Sequence, residues 1–126
     1  MKPSNETSGP LRPHRLYVHV AWSTLARVRA IPRDRQAAIE THIIGICRQL
    51  GAEPVEARAL GDRVHLIVRV PAALSVGELA SRVREEVTLR LASSGRVVRW
   101  SPGFAAVTVS PAEVRRARRR LATLGG

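Results

Sequence analysis

Few residues in this sequence are equipped for chemistry, and most of those are imidazoles. His65 stands in Asp62-Arg63-Val64-His65-Leu66, and His19 in Leu16-Tyr17-Val18-His19-Val20. Either ring, by type, can ligate a metal or move a proton. A zinc-like site needs at least three protein ligands, so His65 alone reads first as a hydrogen-bonded structural histidine. Arg63 lies two residues before His65 and therefore on the same side of a strand, where it sets a permanent cation beside the ring. If the strands of His19 and His65 are neighbours, the rings face each other, giving a two-histidine pair that is weak as a metal site. His14 at a strand edge and His42 on a helix read as solvated. Tyr17 is the single tyrosine and thus the single phenol that could accept a phosphoryl group. It sits on a strand rather than on a mobile helix, and a packing role suits it. Cys47, the only cysteine, falls in an apolar helical pattern and reads as a buried, inert thiol. It permits neither a disulfide framework nor a cysteine zinc site.

The second chemical resource is arginine. The 126 residues carry 21 basic and 10 acidic side chains, a net charge of +11, and Lys2 is the only lysine. Guanidinium pairs with phosphate through two parallel hydrogen bonds, so the surplus points to a polyanion. Arg115, Arg116, Arg118, Arg119 and Arg120 share one short helical stretch, and Glu113 is the only acid after Glu86. Like charges so close repel, and phosphate relieves them; a merely solvated helix face is the plain alternative. Arg27 and Arg29 lie in a loop, where binding residues gather. Arg63 and Arg69 share a strand face with His65. These nine arginines are the candidate nucleic-acid contacts. Aromatics are 3% of the chain, namely Tyr17, Trp22, Trp100 and Phe104, which argues against stacking on a row of rings. Trp100 either closes the core beneath a turn at Gly103 or stacks on a base.

The elements that must position these groups follow from periodicity. Residues 1–13, rich in Pro, Ser, Asn and Gly, read as a disordered arm ahead of a domain over 14–126. Residues 14–23 alternate as a strand. Pro32 suits a helix start; Ile39, Ile43, Ile46, Cys47 and Leu50 recur at helical spacing, and Gly51 ends the helix. Residues 53–60 form a weak strand, Gly61-Asp62 a turn, and 63–70 a clear strand stopped by Pro71. Ser75 and Glu78 form a capping box for a helix whose stripe is Val76, Leu79, Ala80, Val83, Val87 and Leu91. Residues 104–109 form a fourth strand. Ser110 caps a last helix with Pro111 at its first position and Val114, Ala117, Leu121 and Leu124 on its apolar side. The order is that of an α+β, ferredoxin-like βαββαβ unit with a four-stranded antiparallel sheet, plus a C-terminal helix. Two helices cover one sheet face; the other is open to a partner or to the last helix.

Taken in order, LYVHVAWSTLARVRAI, GDRVHLIVRV, SVGELASRVREEV, and the segment from Trp100 through Gly103-Phe104-Ala105 to Val109-Ser110 resemble the single-tyrosine HUH transposases. That family includes small insertion-sequence transposases and REP-associated tyrosine transposases, and the resemblance runs from about His14 to Leu124. It implies DNA as partner. It also implies two histidines flanking one apolar residue on a strand, a divalent metal polarising the scissile phosphate, and a tyrosine on the last helix forming a covalent DNA intermediate. A glutamine about one turn beyond that tyrosine completes the family's metal site. Here the first histidine is replaced by Arg63, only His65 remains, the tyrosine position falls near Arg120, and the glutamine near Leu124. No tyrosine follows Tyr17. Arginine, always protonated, cannot act as the nucleophile.

The expectation is therefore a DNA-binding protein of transposase ancestry, inactive in nicking, with no catalytic residue, no metal and no other cofactor, that binds hairpin or single-stranded DNA. Two alternatives stand beside it. One is an active transposase with a rearranged site. The other is a ferredoxin-like RNA-binding or regulatory protein, against which Tyr17 is the only aromatic those central strands offer. Relatives occur as monomers and dimers, so a homodimer is one expected form, and a third, bland option is a dimeric assembly domain whose charge is incidental. No stretch of 18 apolar residues exists, and no secretory signal is seen at the N-terminus, so a cytoplasmic location is expected.

Overall fold

A computed structural model describes residues 16–124; the expected N-terminal arm and His14 lie outside the described residues. Strand β1 spans Leu16–Ser23, β2 Glu53–Ala59, β3 Arg63–Val70 and β4 Ala105–Val109. They form one sheet in the order β2-β3-β1-β4, with every neighbouring pair antiparallel. Helix α1 spans Gln36–Gln49, α2 Val76–Ala92 and α3 Val114–Ala122. This is the expected ferredoxin-like α+β architecture.

Alternation along the strands divides the molecule into two cores. Val18, Val20 and Trp22 of β1 and Val64, Leu66, Val68 and Val70 of β3 are buried on one face. They pack with Ile39, Ile43, Ile46 and Cys47 of α1 and with Leu79, Val83, Val87 and Leu91 of α2. On the opposite face Ile67 and Val109 meet Ala117 and Leu121 of α3, with Tyr17, Val55, Val114 and Leu124 at the margin. The last helix thus covers part of the second face, which the sequence left undecided.

Local signals account for the boundaries. Gly51, at φ +79, reverses the chain after α1 without the penalty a side chain would bring. The Ser75 hydroxyl accepts from the Glu78 backbone at 3.0 Å, and the Glu78 carboxylate accepts from the Ser75 backbone at 3.1 Å, completing the capping box. Two expectations need correction. A 3-10 turn, Pro111–Glu113, precedes α3, and the Ser110 side chain makes no cap; its carbonyl accepts from the Glu113 backbone instead. Strand β4 begins at Ala105, so Phe104 belongs to the preceding turn. Among the described residues no helix is long and apolar enough to cross a membrane.

Candidate nucleic-acid interface

Pairing of β1 with β3 sets His19 opposite Ile67 and Ala21 opposite His65, making the two histidines diagonal neighbours on the second sheet face. Their ring centroids are 5.2 Å apart, and His19 Nε2 lies 3.1 Å from His65 Nδ1. Burial holds the His19 pKa below its usual value, helped by the Arg120 charge. Burial pushes His65 down to about 4, with His19, Arg63 and Arg27 adding to the effect. Both rings are therefore neutral near pH 7, and one donates a hydrogen bond to the other. The remaining ring nitrogen of His65, Nε2, is buried without a partner.

Cations surround this pair from two sides. Arg63 donates to Asp62 Oδ1 at 2.9 Å, and Arg27 donates to Asp62 Oδ2 at 3.1 Å. Desolvation alone would raise the Asp62 pKa, but the bonds from Arg27 and Arg63 outweigh it and hold the carboxyl low. Arg27 reaches Asp62 through a loop in which Ala26 and Arg27 both adopt left-handed φ, 57° and 56°. Such residues cost about 1–3 kcal/mol each and persist only where neighbours impose them. Here Thr24 Oγ1 donates to the Val28 carbonyl at 2.6 Å, and the Leu25 N–H donates to the Arg99 carbonyl at 2.8 Å. Across the pair, α3 brings Arg120 to His19. A cleft of about 300 Å³ opens there, lined by His19, Thr108, Glu113, Arg116 and Arg120. A second cleft, about 360 Å³, lies along Ala21, Arg27, Arg63, Gly103 and Phe104.

The donor set does not fit the divalent metal that the family resemblance implies. The two imidazoles are turned onto each other, and both Asp62 oxygens are occupied by arginines. Among the described residues no group of three or more His, Cys, Asp or Glu side chains could hold a metal ion. Guanidinium groups at Arg63 and Arg120 would oppose a dication directly.

The structure regroups the arginines. Arg27, Arg63 and Arg120 converge around the histidines, with Arg116 in the adjoining cleft. Arg118, read from sequence as uncompensated, is paired through Nε to Glu56 of β2 at 3.0 Å. Arg69 is paired to Glu53 at 3.0 Å. Arg29 packs its guanidinium over Gly61, where a Cβ would sit 3.0 Å away. Arg115 and Arg119 are exposed on α3, with no ion pair among the described residues. His42 is not simply solvated: it is half-buried with Nε2 3.8 Å from Glu86. Trp100 packs against the main core and donates from Nε1 to Thr88 at 2.9 Å, which bears out the core reading. Tyr17 packs at the margin of the second core. Cys47 is buried, and burial pushes its thiol pKa up to about 12. Sequence reasoning missed Phe104, which counted there as a strand residue; a glycine before it and its place beside Ser101-Pro102 were the available signals.

The second sheet face, with cations grouped around neutral imidazoles under a basic helix, is carried on a transposase-like fold. The structure is similar to a candidate transposase from Deinococcus radiodurans, at a TM-score of 0.69 and 18% identity over 91% of this chain and 95% of that one. It is also similar to a REP-associated tyrosine transposase solved bound to a REP hairpin, at a TM-score of 0.62 and 14% identity over 93% of this chain and 70% of that one. No curated protein sequence matches the chain. The family model of the IS200-like transposases matches residues 13–119, and the chain belongs to that family.

Proposed function

We propose that this protein binds hairpin or single-stranded DNA and does not nick it. The observation that carries this reading is the placement of cations where the family resemblance puts chemistry: Arg63 beside His65, and Arg120 beside His19. Strand cleavage through a covalent intermediate needs a nucleophile and a polarised phosphate at once. Arg120 is no nucleophile, no tyrosine follows Tyr17, and the donor set does not suit a divalent ion. The same groups suit phosphate binding: guanidinium supplies fixed, forked donors. Arg27, Arg63, Arg116 and Arg120 would grip the backbone near the histidine pair. Arg115 and Arg119 would extend the contact along α3, while Arg69 and Arg118 contribute less because each has a carboxylate to itself, where Arg27 and Arg63 share the single Asp62 carboxylate; Arg29, packed over Gly61, also contributes less. Such contacts position DNA without reading its sequence. The hairpin-bound structure of a relative supports the choice of DNA form.

Labelled hairpin DNA with a single-stranded tail, incubated with magnesium or manganese, tests this. A shifted band on a native gel is expected, with neither nick nor covalent adduct on a denaturing gel. A metal-dependent adduct would overturn the reading, and Tyr17→Phe would show whether that phenol forms it. The double variant Arg63→His with Arg120→Tyr should gain only feeble activity, because it still lacks the family's glutamine near Leu124.

A further inference from the structure

The second cleft has the parts of a single-nucleotide pocket. All four aromatic residues of the chain lie among the described residues, and their surroundings differ. Trp22 is buried in the main core, Trp100 is tied to Thr88, and Tyr17 is packed at the margin of the α3 core. Phe104 is the one left exposed, at 40%. Its ring is held up by a turn pinned from several directions. Gly103 adopts φ +75, which a side chain would strain. Arg84 of α2 donates to the Gly103 carbonyl at 2.8 Å. The Ser101 N–H donates to the Ser23 carbonyl at 2.9 Å, and the Ser101 hydroxyl donates to the Thr24 carbonyl at 3.2 Å. Arg27 and Arg63 line the same cleft, each oriented by Asp62.

We infer that this cleft holds one unpaired nucleotide of the bound DNA, its base stacked on Phe104 and its phosphate on Arg27 and Arg63. The inference rests on the DNA-binding reading above and adds a base-dependent contact to it. Charge complementarity selects the occupant: an apolar aromatic face beside two guanidinium groups that share one carboxylate matches a base joined to a phosphate, where an aliphatic protein surface would leave the surplus positive charge unneutralised. A nearly ring-free surface makes this a single platform, not a track. Every base has a π-face, so stacking here favours the presence of a base over its identity.

The test compares two tailed hairpins by fluorescence anisotropy, identical except that one tail has normal nucleotides and the other abasic sites. The native protein should bind the base-bearing tail about tenfold more tightly. Phe104→Leu should remove that preference and leave the abasic affinity unchanged, whereas Phe104→Trp should retain it. Arg27→Gln should weaken both tails alike. Equal affinity of the native protein for both tails, or a preference surviving Phe104→Leu, overturns the pocket while leaving DNA binding intact. No binding to either tail overturns the DNA reading itself. A dimer in sedimentation that Phe104→Leu disperses would make the cleft an interface between copies and end the proposal. Phe104 is exposed and outside any strand, so a folded variant is expected; its thermal melting curve checks that.

Discussion

The two faces of one sheet obey different rules although the same strands build both. On the face beneath α1 and α2, Val64, Leu66, Val68 and Val70 are buried with no polar side chain between them. One residue out of step, Arg63, His65 and Arg69 stand on the other face, interrupted only by Ile67. The first face is closed by two long helices. The second is covered by α3, nine residues long, leaving clefts at both ends of the histidine pair. A period of two lets a chain keep stability and binding on opposite sides of the same strand, so each can be altered without the other.

The largest test of that division is ionic strength. If the second face binds phosphate, DNA affinity should fall with a log–log salt slope of magnitude about 4 for roughly five neutralised phosphates, or about 250-fold between 50 and 200 mM salt. Stability of the free protein should not fall over the same range and should rise slightly, because its main core is apolar and salt screens the repulsion among its surplus arginines. A flat binding response would break the comparison.

Adjacent substitutions in β3 sharpen it. Leu66→Ala removes a fully buried side chain and should cost about 3 kcal/mol in urea denaturation. His65→Ala, next to it, removes a buried nitrogen that lacks a partner but also breaks the His65–His19 hydrogen bond, and should cost less, about 1 kcal/mol. Equal losses at both positions would mean that the second face is as important to the fold as the first.

These contrasts also show what the sequence could reveal. The alternation in β3 and the stripe in α2 are local patterns, so the sheet and its main core were legible. The expectation of a polyanion partner also came from a non-local property, because +11 is read from composition. The apolar side of α3 was legible, but not the surface it meets, since periodicity says which side is buried and not against what. The Glu56–Arg118 pair joins residues 62 positions apart and left no local trace. The left-handed Ala26–Arg27 turn was invisible, because neither residue is a glycine; tertiary contacts impose the conformation there. For the same reason Phe104 looked like the first residue of a strand.

A smaller effect comes from pH. Free His65 titrates near 6.5 and the folded residue near 4, so between those values the unfolded chain binds the extra proton. Stability is therefore greatest above about pH 6.5 and declines as pH falls towards 4. For this one group the loss between pH 7 and pH 5 is about 2 kcal/mol. His19, shifted in the same direction, adds to it. Thermal denaturation across that range should show the decline, and His65→Gln should flatten it. An undiminished slope in the variant would place the titrating group elsewhere.

The finest distinction lies within α3. Arg118 and Arg119 are adjacent and both exposed, yet Arg118 already faces Glu56 and Arg119 faces no acid among the described residues. An exposed pair adds less than about 1 kcal/mol to stability, so Arg118→Gln should lower it only slightly and Arg119→Gln not at all. In DNA binding the order should reverse. Phosphate must compete with Glu56 for Arg118 but finds Arg119 unpaired, so Arg119→Gln should weaken binding more, by roughly two- to fivefold, and reduce the salt slope by about 1. The comparison needs only relative affinities for one hairpin at fixed salt. If Arg118→Gln were the more damaging, Glu56 would be orienting Arg118 for phosphate in place of competing for it. Glu56→Gln separates the two cases: it should strengthen binding if the carboxylate competes, and weaken it if the carboxylate orients.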